Sequence, residues 1–509
     1  MLLARAPAPA VMLLVIAAGM PGPALLAIVE RDWSSAQAFL QSAGLVAVAA
    51  LGVGVALSER RGRTSARDEI LLALFFFGLA PLAAAVPVWM ATPDFGLGAA
   101  WFEMVSTFTT TGMTALPDPA ATPRPVHLWR AMTAWLGGLG ALMAAAAVFA
   151  PRNLGGYEVR IETRAGSVGR LAEAPVWSGA PQTASVGARL IEAARVVAPV
   201  YFALTVVLFA VFASLGKPDL AALTHAAGVM STSGITTAPG AFSAQGGVGA
   251  EAAAALFLLI AATRHAFRPG DRLARIGRLR GDPELHLAAV AVGLAAAWIV
   301  LAHWTAPFGR PPDVASGLRD LWGAAFTALS FLTTTGYVSG AWEASRAWAE
   351  TTTSSGIMLL GLAAMGGGVA STAGGVKLLR SFALYQHGLR ELDRLSQPSI
   401  ADRHGRGARR VGFQGAVLAW VFVMLFLLAL GAAMLALSAT GLPLEQSLAA
   451  AIAALANTGP AYALAAGPGA PPVAAFGAAE RTILAVVMVV GRVEVLAIVA
   501  LTNPAYWRR

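Results

Sequence analysis

Not one cysteine occurs among the 509 residues, which excludes disulfides, thiolate catalysis and cysteine-ligated metals. Charge is scarce too: Asp, Glu, Lys and Arg make up 12% of the chain, against roughly 25% in ordinary soluble domains. The sequence has no glycine loop of phosphate-binding spacing, no His-Glu-x-x-His and no nucleophile elbow. Nor does any pair of acids, Ser–Lys pair or zinc-ligand set fall at membrane depth. The chain therefore reads as a non-enzyme with no cofactor of its own. Its seven histidines are scattered; His127, His225, His265 and His387 fall near membrane boundaries and carry no assignment.

Apolar residues fill the chain instead, at 57%. Long runs cover Val11–Ile28, Ala38–Leu57, Ile70–Met90, Val196–Leu215, Leu287–Ala302, Ala416–Leu437 and Ile483–Leu501. A bilayer core of about 30 Å is crossed by a helix of roughly 20 apolar residues, so each run spans or nearly spans, and the protein is polytopic. The first run, followed by Pro21, Gly22 and Pro23, also fits a signal peptide, although no clear small-residue cleavage site precedes a soluble region. The net charge of +9 is clustered. Arg5, Ser58–Glu69, Pro151–Arg195, Arg264–Arg280, Lys377–Arg410 and Arg508–Arg509 hold most of the 36 Lys and Arg. The positive-inside rule puts all of them, and with them both termini, on the cytoplasmic side. They are read as anchors beside anionic headgroups rather than as a nucleic-acid surface.

One short pattern recurs four times: Ser106–Gly112 (STFTTTG), Met230–Thr237 (MSTSGITT), Leu332–Tyr337 (LTTTGY) and, in a worn form, Ala456–Pro460 (ANTGP). A half-apolar stretch leads into each, over Leu97–Thr109, Asp219–Ser231, Asp320–Thr333 and Leu444–Ala456. Such stretches are too short to span and suit re-entrant segments. Non-helical backbone at membrane depth is tolerated only where protein buries it or where it lines a wet cavity. One cavity shared by all four loops is a pore. Backbone carbonyls in such loops replace the water of a monovalent cation, glycine lets successive carbonyls turn the same way, and the negative C-terminal ends of re-entrant helices favour a cation. Small and hydroxyl residues also serve plain helix packing, which is the competing explanation.

A second feature is the stretch Gly366-Gly367-Gly368-Val369-Ala370-Ser371-Thr372-Ala373-Gly374-Gly375-Val376-Lys377. Each glycine costs a helix about 1 kcal/mol relative to alanine, yet the flanks Ile357–Ala364 and Val376–Leu384 read as helical. The stretch is therefore either a mid-membrane break lining the pore or a close helix crossing. Arg492 lies inside an apolar run, where charges usually face a lumen or a partner. Lys377 faces the pore or snorkels to the surface. Glu103 either raises the cation concentration at the mouth or is solvated or bonded there.

With Trp135-Leu136-Gly137-Gly138-Leu139-Gly140, Gly491-Arg492-Val493-Glu494 and the ending Thr502–Arg508, these motifs resemble the Trk/Ktr/HKT superfamily of potassium transporters, most closely bacterial Trk membrane subunits. The resemblance implies an all-α polytopic membrane protein of four helix–re-entrant loop–helix repeats around a central pore. Two extra helices (1–66) precede repeats at 67–188, 189–281, 282–395 and 396–509. It implies potassium uptake through a filter at Thr110, Thr111, Gly112, Met113; Thr232, Ser233, Gly234, Ile235; Thr334, Thr335, Gly336, Tyr337; and Asn457, Thr458, Gly459, Pro460. It implies a gate of Gly366, Gly367, Gly368, Ser371, Thr372, Gly374, Gly375, Lys377 and Arg492. Further expectations are the bacterial inner membrane, a homodimer and a cytosolic nucleotide-binding regulatory subunit. Glycine at position 112, where a serine goes with sodium preference in the superfamily, favours potassium by analogy. Ala461 departs from the family, which more often has glycine after the proline. A sodium- or proton-coupled symporter and a non-conducting membrane sensor remain as alternatives.

Overall fold

The computed structural model describes residues 7–58, 66–152, 154–157, 161–162, 186–238, 240–263, 281–304, 314–342, 352–396, 410–411, 413–467 and 469–502. The basic run Arg264–Arg280, His265, Arg5 and the ending Asn503–Arg509 lie outside the described residues. At membrane depth every backbone amide must be bonded within the protein, and the described residues meet that demand with helices. Loops join them, and one two-residue antiparallel strand pair is present among the described residues, Ile161–Glu162 with Arg410–Val411. Among the described residues seven helices are long and apolar enough to cross a membrane: Ala8–Val29, Trp33–Ala56, Arg67–Ala91, Arg124–Phe149, Val186–Ser214, Pro283–Leu301 and Gly415–Ser438. The first is bent in two, Ala8–Gly19 and Pro21–Val29, at the Pro-Gly-Pro that follows Met20. Both halves pack on Trp33–Ala56, a helix begun by Asp32, whose carboxylate accepts the Ser35 N–H at 3.1 Å.

After this pair one unit recurs: an outer helix, a short pore helix, an extended loop and an inner helix. The pore helices are Leu97–Phe108, Asp219–Ser231, Val314–Leu332 and Leu444–Leu455. The third is longer than expected, at 19 residues: it begins at Val314 rather than Asp320, with Val314 and Leu318 one turn apart. The inner helices are Arg124–Ala144, Gly247–Ala261, Thr352–Met365 and Ala478–Val493. Each packs on its own pore helix and on that of the next repeat, and the fourth packs back on the first. Four such steps close a ring from one chain.

Three departures from the sequence reading have physical causes. Arg124–Phe149 is a span although Arg124, His127 and Arg130 interrupt its apolar run; His127 and Arg130 are buried and bonded inside the protein. The run Ile483–Leu501 is two helices, Ala478–Val493 and Val495–Leu501, bent by 95° at Glu494, whose φ of +72° no helix accommodates. Finally, Lys377 and Arg380 are not solvated anchors: both are buried, at 9% and 0% exposure.

The outer helix of repeat 1 contains a π turn, Phe75–Leu79. Such a turn offsets the helical hydrogen-bond pattern, and here the Gly78 carbonyl accepts the indole N–H of Trp101 on the first pore helix, at 3.2 Å. On the first inner helix, Gly137, Gly138 and Gly140 mark close approaches. A Cβ at Gly137 would strike the Phe108 carbonyl at the end of the first pore helix, and one at Gly138 would lie 2.8 Å from Ser231 Cβ at the end of the second. This glycine motif is therefore where two pore helices press on one inner helix. Gly137→Ala is expected to lower stability by about 1–3 kcal/mol through overpacking. Gly44→Ala, in a helix with open space around the site, is expected to be neutral or stabilising by up to about 1 kcal/mol. Thermal unfolding of the two variants in detergent checks the contrast.

Candidate functional site

The four pore helices end alike. The residue two before each recurring glycine is left-handed: Thr110, Thr232, Thr334 and Asn457 have φ of 55°, 53°, 58° and 55°. The next residue turns its N–H back to the helix, with Thr111 bonding Ser106 O, Ser233 bonding Gly228 O, Thr335 bonding Ser330 O and Thr458 bonding Ala453 O, at 2.8–2.9 Å. This is the Schellman closure, normally made with glycine at the left-handed position. A β-branched threonine there is an outlier that costs on the order of 1–3 kcal/mol and persists only where its surroundings hold it. The surroundings are visible. Thr110 Oγ1 accepts from Arg492, Thr334 Oγ1 accepts the Gly374 N–H at 2.8 Å, Thr232 Oγ1 donates to Ser231 O at 2.7 Å, and the Asn457 amide donates to Thr111 Oγ1 and Met488 O at 3.0 Å.

The loops that follow touch in cyclic order. A Cβ on Gly112 would collide with the Ser233 carbonyl oxygen, and one on Gly234 with the Thr335 carbonyl oxygen. On Gly336 it would lie 2.9 Å from Pro460, and on Gly459 it would collide with the Met113 amide. Four glycines from four repeats thus face one another around a closed ring. Gly112, Gly234 and Gly336 have φ of 71°, 63° and 85°. Gly459 differs, with φ of −53°, and the chain runs on as the short helix Pro460–Ala465, with proline at its first position. Its N–H instead donates to Thr111 O at 2.6 Å, which joins the fourth loop to the first. Ile235 and Tyr337 are joined as well: the Tyr337 hydroxyl donates to Ile235 O at 2.9 Å.

Below the ring lies the glycine-rich stretch. The helix Thr352–Met365 stops at Gly366, φ 76°, and resumes at Leu378. Val376 N–H bonds Ala364 O and Lys377 N–H bonds Met365 O, both at 2.9 Å. The helical hydrogen-bond ladder is therefore taken up again across the excursion, which leaves as a pinched loop whose neck is sewn shut. The loop reaches the second, third and fourth repeats. Gly374 bonds Thr334 and has no room for a Cβ beside Ala456 O, Thr372 Oγ1 donates to Met230 O at 3.4 Å, and Thr372 O accepts from Arg492 Nη1 at 2.7 Å. Gly367 and Gly368 abut the end of the second inner helix, where Gly368 N–H bonds Ala261 O at 2.9 Å. Ser371 folds back on Gly368 O at 2.6 Å.

Arg492 lies between the ring and this loop, its Nε donating to Thr109 O at 2.8 Å. Lys377 donates to Ala373 O. Lys377 and Arg492 line one cavity of about 40 Å³ with Ser371, Gly374, Gly375 and Glu494, so the structure sets Lys377 inside rather than at the surface. Glu494, the first residue beyond the helix Ala478–Val493, pairs with Arg380 at 2.9 Å. It also accepts the Gly155 N–H at 2.9 Å. Two cations from the basic segments Pro151–Arg195 and Lys377–Arg410, Arg189 and Arg380, are thus bound inside, Arg189 to Glu69 at 2.5 Å.

Of the alternatives for Glu103, the structure shows the bonded one: it is fully buried and paired with Arg130 at 2.7 Å. Arg130 and Arg380 were missed in the sequence because a lone arginine gives no sign of its partner. Lys217, outside the spans, donates to His225 Nδ1 at 3.0 Å and to Phe242 O at 2.7 Å. Burial, partly offset by the Glu251 carboxylate, brings its ammonium down to about 8. Among the described residues no cluster of three or more His, Cys, Asp and Glu could hold a metal.

Residues 286–508 match the family described as Cation transport protein, TrkH. The chain is 27% identical over 495 residues to the Trk system potassium uptake protein TrkH of Salmonella typhimurium, with 96% of this chain and 95% of that one covered. It is 27% identical to TrkH of Halomonas elongata, covering 98% of each, and 24% identical to TrkG of Escherichia coli, covering 87% and 86%. Among solved structures, the crystal structure of the potassium transporter TrkH from Vibrio parahaemolyticus has the same fold, with a TM-score of 0.77 over 98% of both chains at 21% identity.

Replacing Tyr337 by phenylalanine keeps the ring packed on Phe242, 4.6 Å away, but leaves Ile235 O without this donor. A loss of about 1–3 kcal/mol is expected, the cost of an unsatisfied buried acceptor, and thermal unfolding in detergent measures it.

Proposed function

We propose that this chain, a relative of the Trk potassium uptake proteins along nearly its whole length, is the membrane-embedded conducting subunit of a potassium uptake system. The observation that carries the proposal is the closed ring of four filter loops with a pinned loop and Arg492 directly beneath it. Carbonyls of the ring would replace the ion's water, aided by the negative C-terminal ends of four pore helices. The loop Gly366–Lys377 and Arg492 would form the barrier below, and the unit boundaries of the sequence reading would divide the chain at 66, 188, 281 and 395.

Potassium is the substrate, and the chain supplies position and dipoles rather than catalysis or a bound cofactor. The protein would sit in the inner membrane of a bacterium with both termini cytoplasmic, since its arginine-rich segments demand one side. It would work as a homodimer, its basic inner face receiving a cytosolic nucleotide-binding regulatory subunit.

Expression in a host lacking potassium uptake tests the reading: growth at micromolar to millimolar potassium and rubidium uptake are expected, and absence of uptake from well-expressed protein supplied with its regulatory partner would overturn it. Gly234→Ser is expected to disturb potassium discrimination strongly, because its side chain would strike the Thr335 carbonyl, whereas Thr232→Ala removes only a hydroxyl bonded to the adjacent carbonyl. Equal selectivity in the two variants would count against carbonyl coordination. Arg492→Gln is expected to raise rubidium flux, since it removes the cationic charge below the ring.

A further inference from the structure

Behind the ring, the descending pore helix and the ascending limb of a filter loop are tied in a recurring way. In repeat 1, Glu103 Oε2 accepts the Ala115 N–H at 2.8 Å. In repeat 3, Thr327 Oγ1 accepts the Ser339 N–H at 3.2 Å. Both pairs span the same number of residues and sit at equivalent positions about Gly112 and Gly336. Repeat 2 has His225 at this position, and its partner is Lys217 rather than its own limb. Repeat 4 has Ala450, which has no polar atom to offer. The second limb is held from outside instead: Arg130, on the inner helix of repeat 1, donates from Nη1 to Thr236 O at 3.2 Å. The same guanidinium donates from Nε to Glu103 Oε1 at 2.7 Å and contacts His127 Nδ1 at 3.3 Å. His127 Nε2 in turn bonds Pro119 O at 2.8 Å, and Thr114 Oγ1 donates to Glu103 Oε2 at 3.1 Å.

We infer that Glu103 and Arg130 are positioning residues for ion selection: the buried pair fixes the outer limbs of the first and second filter loops against each other. A buried ion pair is seldom kept for stability alone, because apolar replacements are often as stable. This one has every strong bond directed either to its partner or to a limb, and it joins two neighbouring repeats. Sites that discriminate by geometry need their groups held to within about 0.5 Å by such support. Neither residue touches the ion, so their effect passes through the backbone of Met113–Ala115 and Ile235–Thr236.

The inference rests on the proposed potassium conduction, and the experiment separates the two. The full-length protein and the variants Glu103→Gln, Arg130→Gln, the double Glu103→Gln/Arg130→Gln and Thr327→Ala are assayed for rubidium uptake with sodium as competitor, alongside thermal unfolding in detergent. Uptake is expected to persist, while sodium competes on the order of tenfold better in the single and double variants, as loss of supporting contacts predicts. Thr327→Ala, which removes the same tie without stranding a buried charge, is expected to shift discrimination in the same direction. If the charged singles fail to accumulate, the double variant and Thr327→Ala decide. Unchanged rubidium-over-sodium preference in variants that only unfold at lower temperature would overturn the inference and leave the pair a packing feature. No uptake by the unmodified chain would instead overturn the conduction reading itself.

Discussion

A left-handed residue at the end of each pore helix is the constraint from which the rest of the site follows. It turns the chain sharply out of the helix while the Schellman bond keeps the helix terminus satisfied, so that an extended loop can run at membrane depth without orphaned amides. Glycine would take this conformation freely. The chain uses Thr110, Thr232, Thr334 and Asn457 instead, and each of these side chains makes a bond that glycine could not. Three of the four reach beyond their own helix terminus, to Arg492, to Gly374, and to Thr111 and Met488. Strain at the foot of these loops is thereby tied to the elements below it.

Those elements are built so that they can stand under the ring without unravelling. The glycine-rich loop leaves a helix and returns to it with the ladder re-formed across its neck, and its small residues allow contact with filter backbone from several repeats. Arg492 bridges the glycine-rich loop and the end of the first pore helix at once. The helix that carries it breaks immediately afterwards at Glu494, whose pairing with Arg380 fixes the segment following the loop. Buried charges are costly unless paired and bonded; Arg492 is bonded to the first ring loop and to the glycine-rich loop, and Glu494 to Arg380 in the helix that follows that loop.

Much of this could be read from residues. The pore helices Leu97–Phe108, Asp219–Ser231 and Leu444–Leu455 lie within about a residue of their expected limits, because a Thr/Ser-Gly turn in apolar surroundings marks a helix end. The break at Gly366 was legible because helices do not tolerate such glycine density. The start of the third pore helix was not, since Ser316, Gly317 and Arg319 interrupt the apolar positions before Asp320. Arg124–Phe149 was hidden by its own buried cations. The left-handed threonines had no signal at all, for threonine ordinarily avoids that conformation.

The sequence by itself determined that the chain crosses a membrane several times, that four similar loops enter it, and that one helix is interrupted by glycine. Those are local facts, set by hydrophobic length and by the backbone cost of glycine and proline. Only the tertiary structure decided that the loops meet in cyclic order, that Gly459 departs from its three counterparts, and that Arg492, Arg130 and Glu494 find their partners more than a hundred residues away or in another repeat. Contact between distant segments depends on how helices pack, and one-dimensional pattern carries no record of it.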